Sequence, residues 1–156
     1  RNLYFYNFAW QEGMKQNLIG PNLERLYQIN GSTNGQAWPE MPIANSLLYF
    51  RVQNDANAVV DIPESWANAK KLQRIYFQKN GLSTAQVDSL IINLEARVLD
   101  GMASGFGGTH YLYLQGTGAN ANASPTIATH TANGWINNGT YLTKNIAGQT
   151  WQVRKN

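Results

Sequence analysis

The sequence predicts an α/β fold in which a short unit recurs along the chain and sets its strands side by side in a parallel sheet. Three observations predict it. Apolar residues alternate in several short segments, the first four of these segments begin 20 to 25 residues apart, and one segment with helical spacing follows them. The 156 residues suffice for a single domain, 1–156, with one core.

The clearest unit begins at Leu72 in "LQRIYFQKNG". Ile75 and Phe77 alternate like the inward-facing pair of a short strand. Asn80 follows where the chain must leave the strand, and its amide can hydrogen-bond backbone groups at such a turn. We therefore expect a strand at about 73–78 that contributes two side chains to a shared core.

Further copies precede and follow this unit. "LLYFRVQND" places Leu47, Phe50, Val52 and Asp55 at the same spacing. "LERLYQING" begins a copy at 23, and "LYFYNFAWQ" an approximate one at 3, with Leu3, Tyr6 and Phe8 in the core positions and Gln11 in the turn position. "THYLYLQGT" supplies Leu112 and Leu114 for a fifth copy that starts near 109. The repeats are thus expected to start near 3, 23, 47 and 72, with a stretched interval before the fifth.

A second signature lies between the strands. In "DIPESWANAKKL", Ile62 and Trp66 are spaced to pack beneath the next strand, and Pro63 starts a turn. "EMPIANSLL" echoes this pattern with Met41 and Pro42. Together with the strand pattern L-x-x-L-x-L-x-x-N, these residues resemble a leucine-rich repeat protein of the variety with an Ile-Pro element. The resemblance implies a short solenoid with a parallel sheet on its concave face.

The segment after the fourth copy predicts a helix from about 84 to 97. Ser83 and Gln86 have capping-box spacing, and an apolar stripe recurs at helical intervals. The stripe consists of Val87, Leu90, Ile91 and Leu94. A strand is expected at 110–115, a turn-rich segment of low complexity at 116–134, and a closing strand in "GQTWQV" with Trp151 and Val153 on one face.

Residues 83–156 as a group resemble the terminal capping unit of bacterial and phage-borne leucine-rich repeat proteins. A solenoid needs such a unit because its open end would expose core and a strand edge. The resemblance implies an extracellular location, on a bacterial cell surface or a virion. Because the chain begins at Arg1 without Met, it is also expected to be part of a longer protein.

Residues between the core positions should face outward on the concave side and form three rows. The first row is expected to contain Phe5, Arg25, Tyr49, Arg74 and Tyr111. The second is expected to contain Asn7, Tyr27, Arg51, Tyr76 and Tyr113, and the third Ala9, Gln28, Gln53, Gln78 and Gln115. Tyr and Arg suit a recognition surface, and Tyr with amides also suits sugar rings. The same residues could equally serve only to stiffen the sheet.

The charge distribution predicts no nucleic-acid binding. The chain has 12 basic and 9 acidic residues, and residues 101–156 contain no Asp or Glu. Three scattered cations over that region do not form the dense basic stripe that nucleic acids require. There is no Cys, which excludes disulfides, and no apolar run approaches the ~18 residues of a membrane span.

The catalytic inventory predicts no enzyme, no cofactor and no metal. His110 and His130 lack metal-ligand spacing, and Asp55, Asp61 and Glu64 are expected to be solvated turn carboxylates. The favoured function is a recognition or adhesion module that binds a protein or a glycan through the concave face. A structural subunit that contacts neighbouring subunits of a larger assembly is the alternative, and an enzyme with a carboxylate pair on its loops is a third.

Overall fold

The computed structural model describes residues 1–7, 20–29, 38–41, 46–55, 58–118 and 120–155. The strands in these ranges are β1 (Asn2–Tyr6), β2 (Arg25–Ile29), β3 (Tyr49–Gln53), β4 (Arg74–Gln78), β5 (His110–Tyr113), β6 (Ile136–Asn137), β7 (Tyr141–Ile146) and β8 (Gln149–Arg154). The helices are a 3₁₀ helix (Glu64–Asn68), α1 (Thr84–Leu99) and α2 (Ile127–Ala132). Neither α-helix combines the length and apolarity that crossing a bilayer would require.

All eight strands form one open sheet in the order β1-β2-β3-β4-β5-β8-β7-β6. The first six strands in this order pair in parallel, and the last two join antiparallel. The predicted neighbours β3 and β4 are paired, with Phe50 opposite Ile75 and Val52 opposite Phe77. The α/β class and the parallel pairing of the repeat strands are therefore confirmed, within a sheet that is mixed overall.

The core lies against one face of the sheet and is built from residues in register. One row crosses β2, β3, β4, β5 and β8 as Leu26, Phe50, Ile75, Leu112 and Val153, and none of these side chains is exposed to solvent. Burying a side chain of this size contributes about 1.5–3 kcal/mol. Each strand thus gains stability only when its neighbours cover the same row.

Indole rings fill the space beneath β3 and β4. Trp66 lies in the 3₁₀ helix that follows Pro63, as the Ile-Pro pattern predicts, and it is fully buried together with Ile62. Its ring centroid lies 4.9 Å from that of Trp38, which in turn lies 4.8 Å from Phe50. Both indole N–H groups are satisfied, because Trp66 donates to the Pro39 carbonyl and Trp38 to that of Val59. A buried indole N–H needs such a partner.

Asn80 and Asn122 hold the turns at the ends of the strands. The Asn80 side chain accepts from the Asp55 N–H (3.0 Å) and donates to the Val52 carbonyl (3.2 Å), which confirms the backbone role predicted for it. Asn122 repeats this arrangement one strand further, because it donates to the Phe77 carbonyl (2.6 Å) and accepts from the Asn80 N–H (3.0 Å). Buried peptide groups are costly without partners, so these amides fix the repeat turns.

Helix α1 confirms the predicted helix and extends it by two residues. Ser83 and Gln86 form the capping box, and the stripe Val87, Leu90, Ile91 and Leu94 is fully buried. The helix packs against the 3₁₀ helix and β7. On this last contact, Glu95 of α1 binds Lys144 of β7 and accepts a hydrogen bond from the Trp135 indole at 3.2 Å.

The register predicted for the first repeat is wrong. Leu3 pairs with Leu26, so Leu3 and Phe5 pack towards the core while Tyr4 and Tyr6 are 47% and 60% exposed. The strand therefore lies three residues earlier in the repeat than predicted. The apolar pair gains more from burial than Tyr, whose hydroxyl prefers water. The predicted positions of Phe8 and Ala9 lie outside the described residues.

Three smaller predictions are also corrected. Gln28 pairs with Val52 on the core face and is fully buried, so it does not belong to the outward third row. Asp55 is fully buried at the end of β3 instead of being solvated, because it occupies the inward turn position of its repeat. The segment 116–134 contains α2, which its low complexity concealed. Asp61 and Glu64 are exposed as predicted.

Candidate functional site

The face of the sheet opposite the core, called here the polar face, carries the predicted recognition residues. The pairing aligns Arg25, Tyr49, Arg74 and Tyr111 in a first row and Tyr27, Arg51, Tyr76 and Tyr113 in a second. A third row contains Ile29, Gln53 and Gln78. Gln115 follows Tyr113 by two residues, just beyond the end of β5. The eleven predicted residues are thus brought together on one side of four strands, β2 to β5.

In the first row, arginine and tyrosine alternate in contact. The guanidinium carbons of Arg25 and Arg74 lie 4.8 and 5.5 Å from the ring centroid of Tyr49, so this ring sits between two cations. Arg74 also lies 5.7 Å from the ring of Tyr111. Each such cation–π contact contributes about 0.5–1 kcal/mol at a partly exposed site. The row is therefore held in place before any ligand arrives.

In the second row, the tyrosine rings stack on each other. The centroids of Tyr4 and Tyr27 are 4.7 Å apart and those of Tyr76 and Tyr113 are also 4.7 Å apart, with nearly parallel planes. Arg51 covers the other side of Tyr76 at 5.8 Å. Because Tyr113 and Arg51 cover the two faces of the Tyr76 ring, this residue presents its ring edge and hydroxyl to a ligand. Flat stacking of a sugar ring on Tyr76 is therefore disfavoured.

Two tyrosines of the second row have a raised pKa. Burial raises the pKa of Tyr27 above its ordinary value, against the opposing charge of Arg25. Burial likewise raises the pKa of Tyr113. A hydrogen bond from Arg74 to the Tyr76 hydroxyl (3.3 Å) links the first two rows and raises the pKa of the guanidinium. The face therefore offers donors from phenols and arginines.

The polar face is positively charged. It carries Arg25, Arg51, Arg74 and Arg154, and no Asp or Glu occupies an outward position in the described strands. Acidic residues of the chain lie elsewhere, for example Glu95 on α1. A surface with one sign of charge attracts ligands of the opposite sign and accelerates their association.

Arg154 and Tyr141 extend the polar face beyond β5 and were not predicted from the sequence. Arg154 pairs with Tyr113 across β5 and β8, and Tyr141 pairs with Arg154 across β7 and β8. The Arg154 guanidinium lies 5.7 Å from the Tyr141 ring, so the second row continues past the parallel strands. The alternation of Trp151 and Val153 could have revealed Arg154. Nothing local places Tyr141 beside it.

A second polar cluster links α1 to α2. Asp88 accepts a hydrogen bond from the Thr126 N–H and contacts His130 Nε2, both at 2.8 Å. Burial acts to raise the pKa of Asp88, but the hydrogen bonds from Thr126 and His130 outweigh it and lower the pKa. His130 is almost fully buried. The cluster therefore anchors α2 on α1, and its histidine is shielded from a substrate.

In the described part of the chain, no three His, Asp or Glu side chains converge in a way that could hold a metal ion. Comparison of the chain with protein-family models, curated proteins and solved structures found no match.

Proposed function

We propose that the chain is a non-enzymatic recognition module of the leucine-rich repeat type, which binds a protein or a glycan through the polar face. The observation that carries the proposal is the pair of arginine–tyrosine rows, which span the four strands β2 to β5 without an acidic residue. Arginine and tyrosine are among the residues enriched at the positions that dominate binding energy at interfaces. Ordered side chains also lose little conformational entropy when a ligand binds.

The repeat type is supported by features that recur from strand to strand. Successive parallel strands place apolar pairs at equal positions, and Asn80 closes the turn as the repeat pattern requires. Trp66 of the Ile-Pro element packs beneath the strands. Display on a bacterial surface or a phage particle is part of the proposal and follows from the resemblance of 83–156 to a terminal capping unit.

The arginines of the polar face favour binding over a purely stiffening role. The Nε atoms of Arg25 and Arg51 are buried and lack hydrogen-bond acceptors among the described residues. A buried donor without an acceptor costs about 1–3 kcal/mol, more for a charged group. An acidic or carbonyl-rich ligand that drew these side chains towards it and supplied acceptors would recover part of that cost, whereas a stiffening role would leave it unrelieved.

The test is a screen of glycan and protein arrays with the wild-type chain, followed by affinity measurement on the ligands found. We expect the double variant Arg25→Gln, Arg74→Gln to lower affinity by about tenfold or more, since it removes two cations from the first row. The double variant Lys71→Gln, Lys155→Gln removes the same charge outside the three rows and should change affinity less than about twofold. Equal affinities of the two double variants for every ligand would refute the proposal.

The alternative is a structural subunit of a larger surface or virion assembly. It is favoured by the exposed apolar side chains of Ile92, Leu99 and Ile136, which are 52%, 63% and 70% accessible. Assembly through these residues would be weakened by Ile92→Ser with Leu99→Ser and left intact by the arginine double variant. Sedimentation of the native assembly with each variant separates the two functions.

A further inference from the structure

The polar face ends in a depression where β3, β4 and the segment after β5 come together. It has a volume of about 500 Å³. Its lining consists of Arg51, Gln53, Gln78, Lys79, Gln115, Gly116 and Thr117. This volume is within the range of small-molecule sites, roughly 300–1,000 Å³, but such sites are usually lined by apolar side chains. This one has none among its described lining residues, which indicates a ligand rich in polar groups.

Two atoms that line the depression lack a hydrogen-bond partner among the described residues, and one of them is a donor and the other an acceptor. Arg51 donates from Nη2 to Gln53 and leans on the ring of Tyr76, but its buried Nε has no acceptor among the described residues. The buried Oε1 of Gln115 has no donor among them. Buried polar atoms are normally paired, so a ligand that drew these two side chains towards the depression should supply an acceptor for the guanidinium and a donor for the amide oxygen.

Lys79 places a second cation at the same depression in an unfavourable backbone conformation. Its φ is 56°, in the left-handed region that Asn and Gly tolerate better than Lys. Asn7 and Asn54 occupy the corresponding positions after β1 and β3 with φ of 52° and 57°. Fold stability alone would favour Asn at position 79 as well. Strained residues of this kind concentrate at functional sites.

Gly116 keeps the Lys79 side chain at the depression. A Cβ added to Gly116 would lie 2.6 Å from Cγ of Lys79 and 3.3 Å from its backbone N. The two residues are therefore packed as closely as a glycine allows. Lys79 and Gly116 line the depression together with Gln78 and Thr117.

We propose that this depression binds an acidic sugar residue, whose carboxylate lies between Arg51 and Lys79 and whose hydroxyls bond the glutamine amides. The proposal rests on the proposed function and narrows its ligand to a carboxylate-bearing glycan. Arginine and lysine together supply charge-assisted bonds to a carboxylate. A sugar hydroxyl is both donor and acceptor, which matches the Oε1 of Gln115 and the Thr117 hydroxyl. An acidic peptide would provide the carboxylate but fewer hydroxyl donors for the amides.

The test is calorimetric binding with two matched ligand pairs that differ mainly in charge. Sialyllactose is compared with lactose, and trigalacturonate with its methyl ester. We expect at least one acidic member to bind ten or more times tighter than its neutral partner. The variants Lys79→Asn and Arg51→Gln should each weaken that binding about tenfold, while Lys71→Asn, which removes a charge elsewhere, should leave it unchanged.

Lys79→Asn also separates binding from folding. Because Asn suits the left-handed conformation, this variant should unfold at the same temperature as the wild type or higher, and its loss of affinity then cannot come from a damaged fold.

Equal binding of acidic and neutral partners, no binding of either acidic sugar, or unchanged affinity in both variants would each overturn the proposal. Tighter binding of a glutamate-rich peptide than of both acidic sugars would overturn it in favour of a protein ligand. If ligands of the polar face depend on Arg25 and Arg74 but not on Lys79, the proposed function stands and this site does not.

Discussion

The core face and the polar face of the sheet use alternate residues of the same strands, yet they are completed in different ways. On the core face, Phe50 and Ile75 are fully covered by their neighbours and by helices. On the polar face, Tyr49 and Arg74 cover each other but stay half-buried. The regular spacing of both faces comes from the core, because strands ~4.8 Å apart repeat whatever side chains they carry.

This difference shows which features of the polar face indicate function. Regular stacking alone would follow from any repeated sheet. The exclusion of Asp and Glu from the described outward positions, the partnerless Nε of Arg51 and the strained Lys79 do not follow from it. These are the features that stability leaves unexplained, and the two proposals rest on them.

The largest expected effect is a difference in unfolding free energy between substitutions on the two faces, made at adjacent residues of β4. Ile75→Ala should lower the free energy of unfolding by about 2–5 kcal/mol, since it leaves a cavity in a fully buried row. Tyr76→Ala should cost only about 0.5–1.5 kcal/mol, the value of its aromatic contacts. Urea unfolding of both variants measures the difference. Similar losses would show that the polar face stabilises the fold as strongly as the core does.

An effect of intermediate size on the free energy of unfolding is expected from the protonation of a histidine on the core face. Burial lowers the pKa of His110 below its ordinary 6.5, although a hydrogen bond from its Nδ1 to the Leu72 carbonyl (2.9 Å) opposes this shift. Near pH 6.5 the His110 imidazole therefore binds a proton in the unfolded chain but not in the folded chain. Stability should fall as the pH drops below about 6.5, by no more than about 1.4 kcal/mol per pH unit.

Thermal unfolding between pH 7.5 and 5 measures this slope, with His110→Phe as the control. Phenylalanine can keep the stack on Trp151 (4.9 Å in the wild type) but cannot titrate. The slope should therefore disappear in the variant. Asp88, whose pKa is lowered from 3.8, contributes stability that is lost only at more acidic pH, so it does not confuse the comparison. The same slope in both proteins would exclude His110 as its source.

The smallest expected effect is the coupling energy between an arginine and a tyrosine of the polar face. Two double-mutant cycles measure the coupling energy between the Arg74 cation and the Tyr49 ring. Both use Arg74→Gln. One combines it with Tyr49→Ala, which removes the ring, and the other with Tyr49→Phe, which keeps it. The cycle with Tyr49→Ala should give a coupling energy of about 0.5–1 kcal/mol. The cycle with Tyr49→Phe should give a much smaller coupling energy, because Phe retains a ring face. Coupling near zero in the Ala cycle would mean that the first row is not ordered by these contacts in solution.

Much of the fold could be predicted because local pattern and core agree. In β3 and β4, apolar alternation coincides with the repeat spacing, and in α1 the capping box coincides with the apolar stripe. The prediction failed for β1, since Tyr and Phe can occupy either face of a strand. It failed for Gln28 because a polar side chain in a core position breaks the alternation that reveals the register.

The candidate site was predictable in its residues but not in its shape. Alternation places Arg51, Tyr76 and Gln78 on the side opposite the core from sequence alone. The continuation of the second row to Tyr141 and the meeting of Gln115 with Lys79 depend on how β5 and β8 return to the sheet. No local pattern contains that information.

The amino-acid order by itself determined the periodic rows, the separation of arginines from acids and the start of the long helix, because each follows from spacing within about ten residues. Only the tertiary structure decided the register of β1, the pairing of Asn80 with Asn122 and the depression beside Lys79. Those features join residues far apart in the chain. Their position is set by which alignment buries the most apolar surface and satisfies the most backbone groups at once.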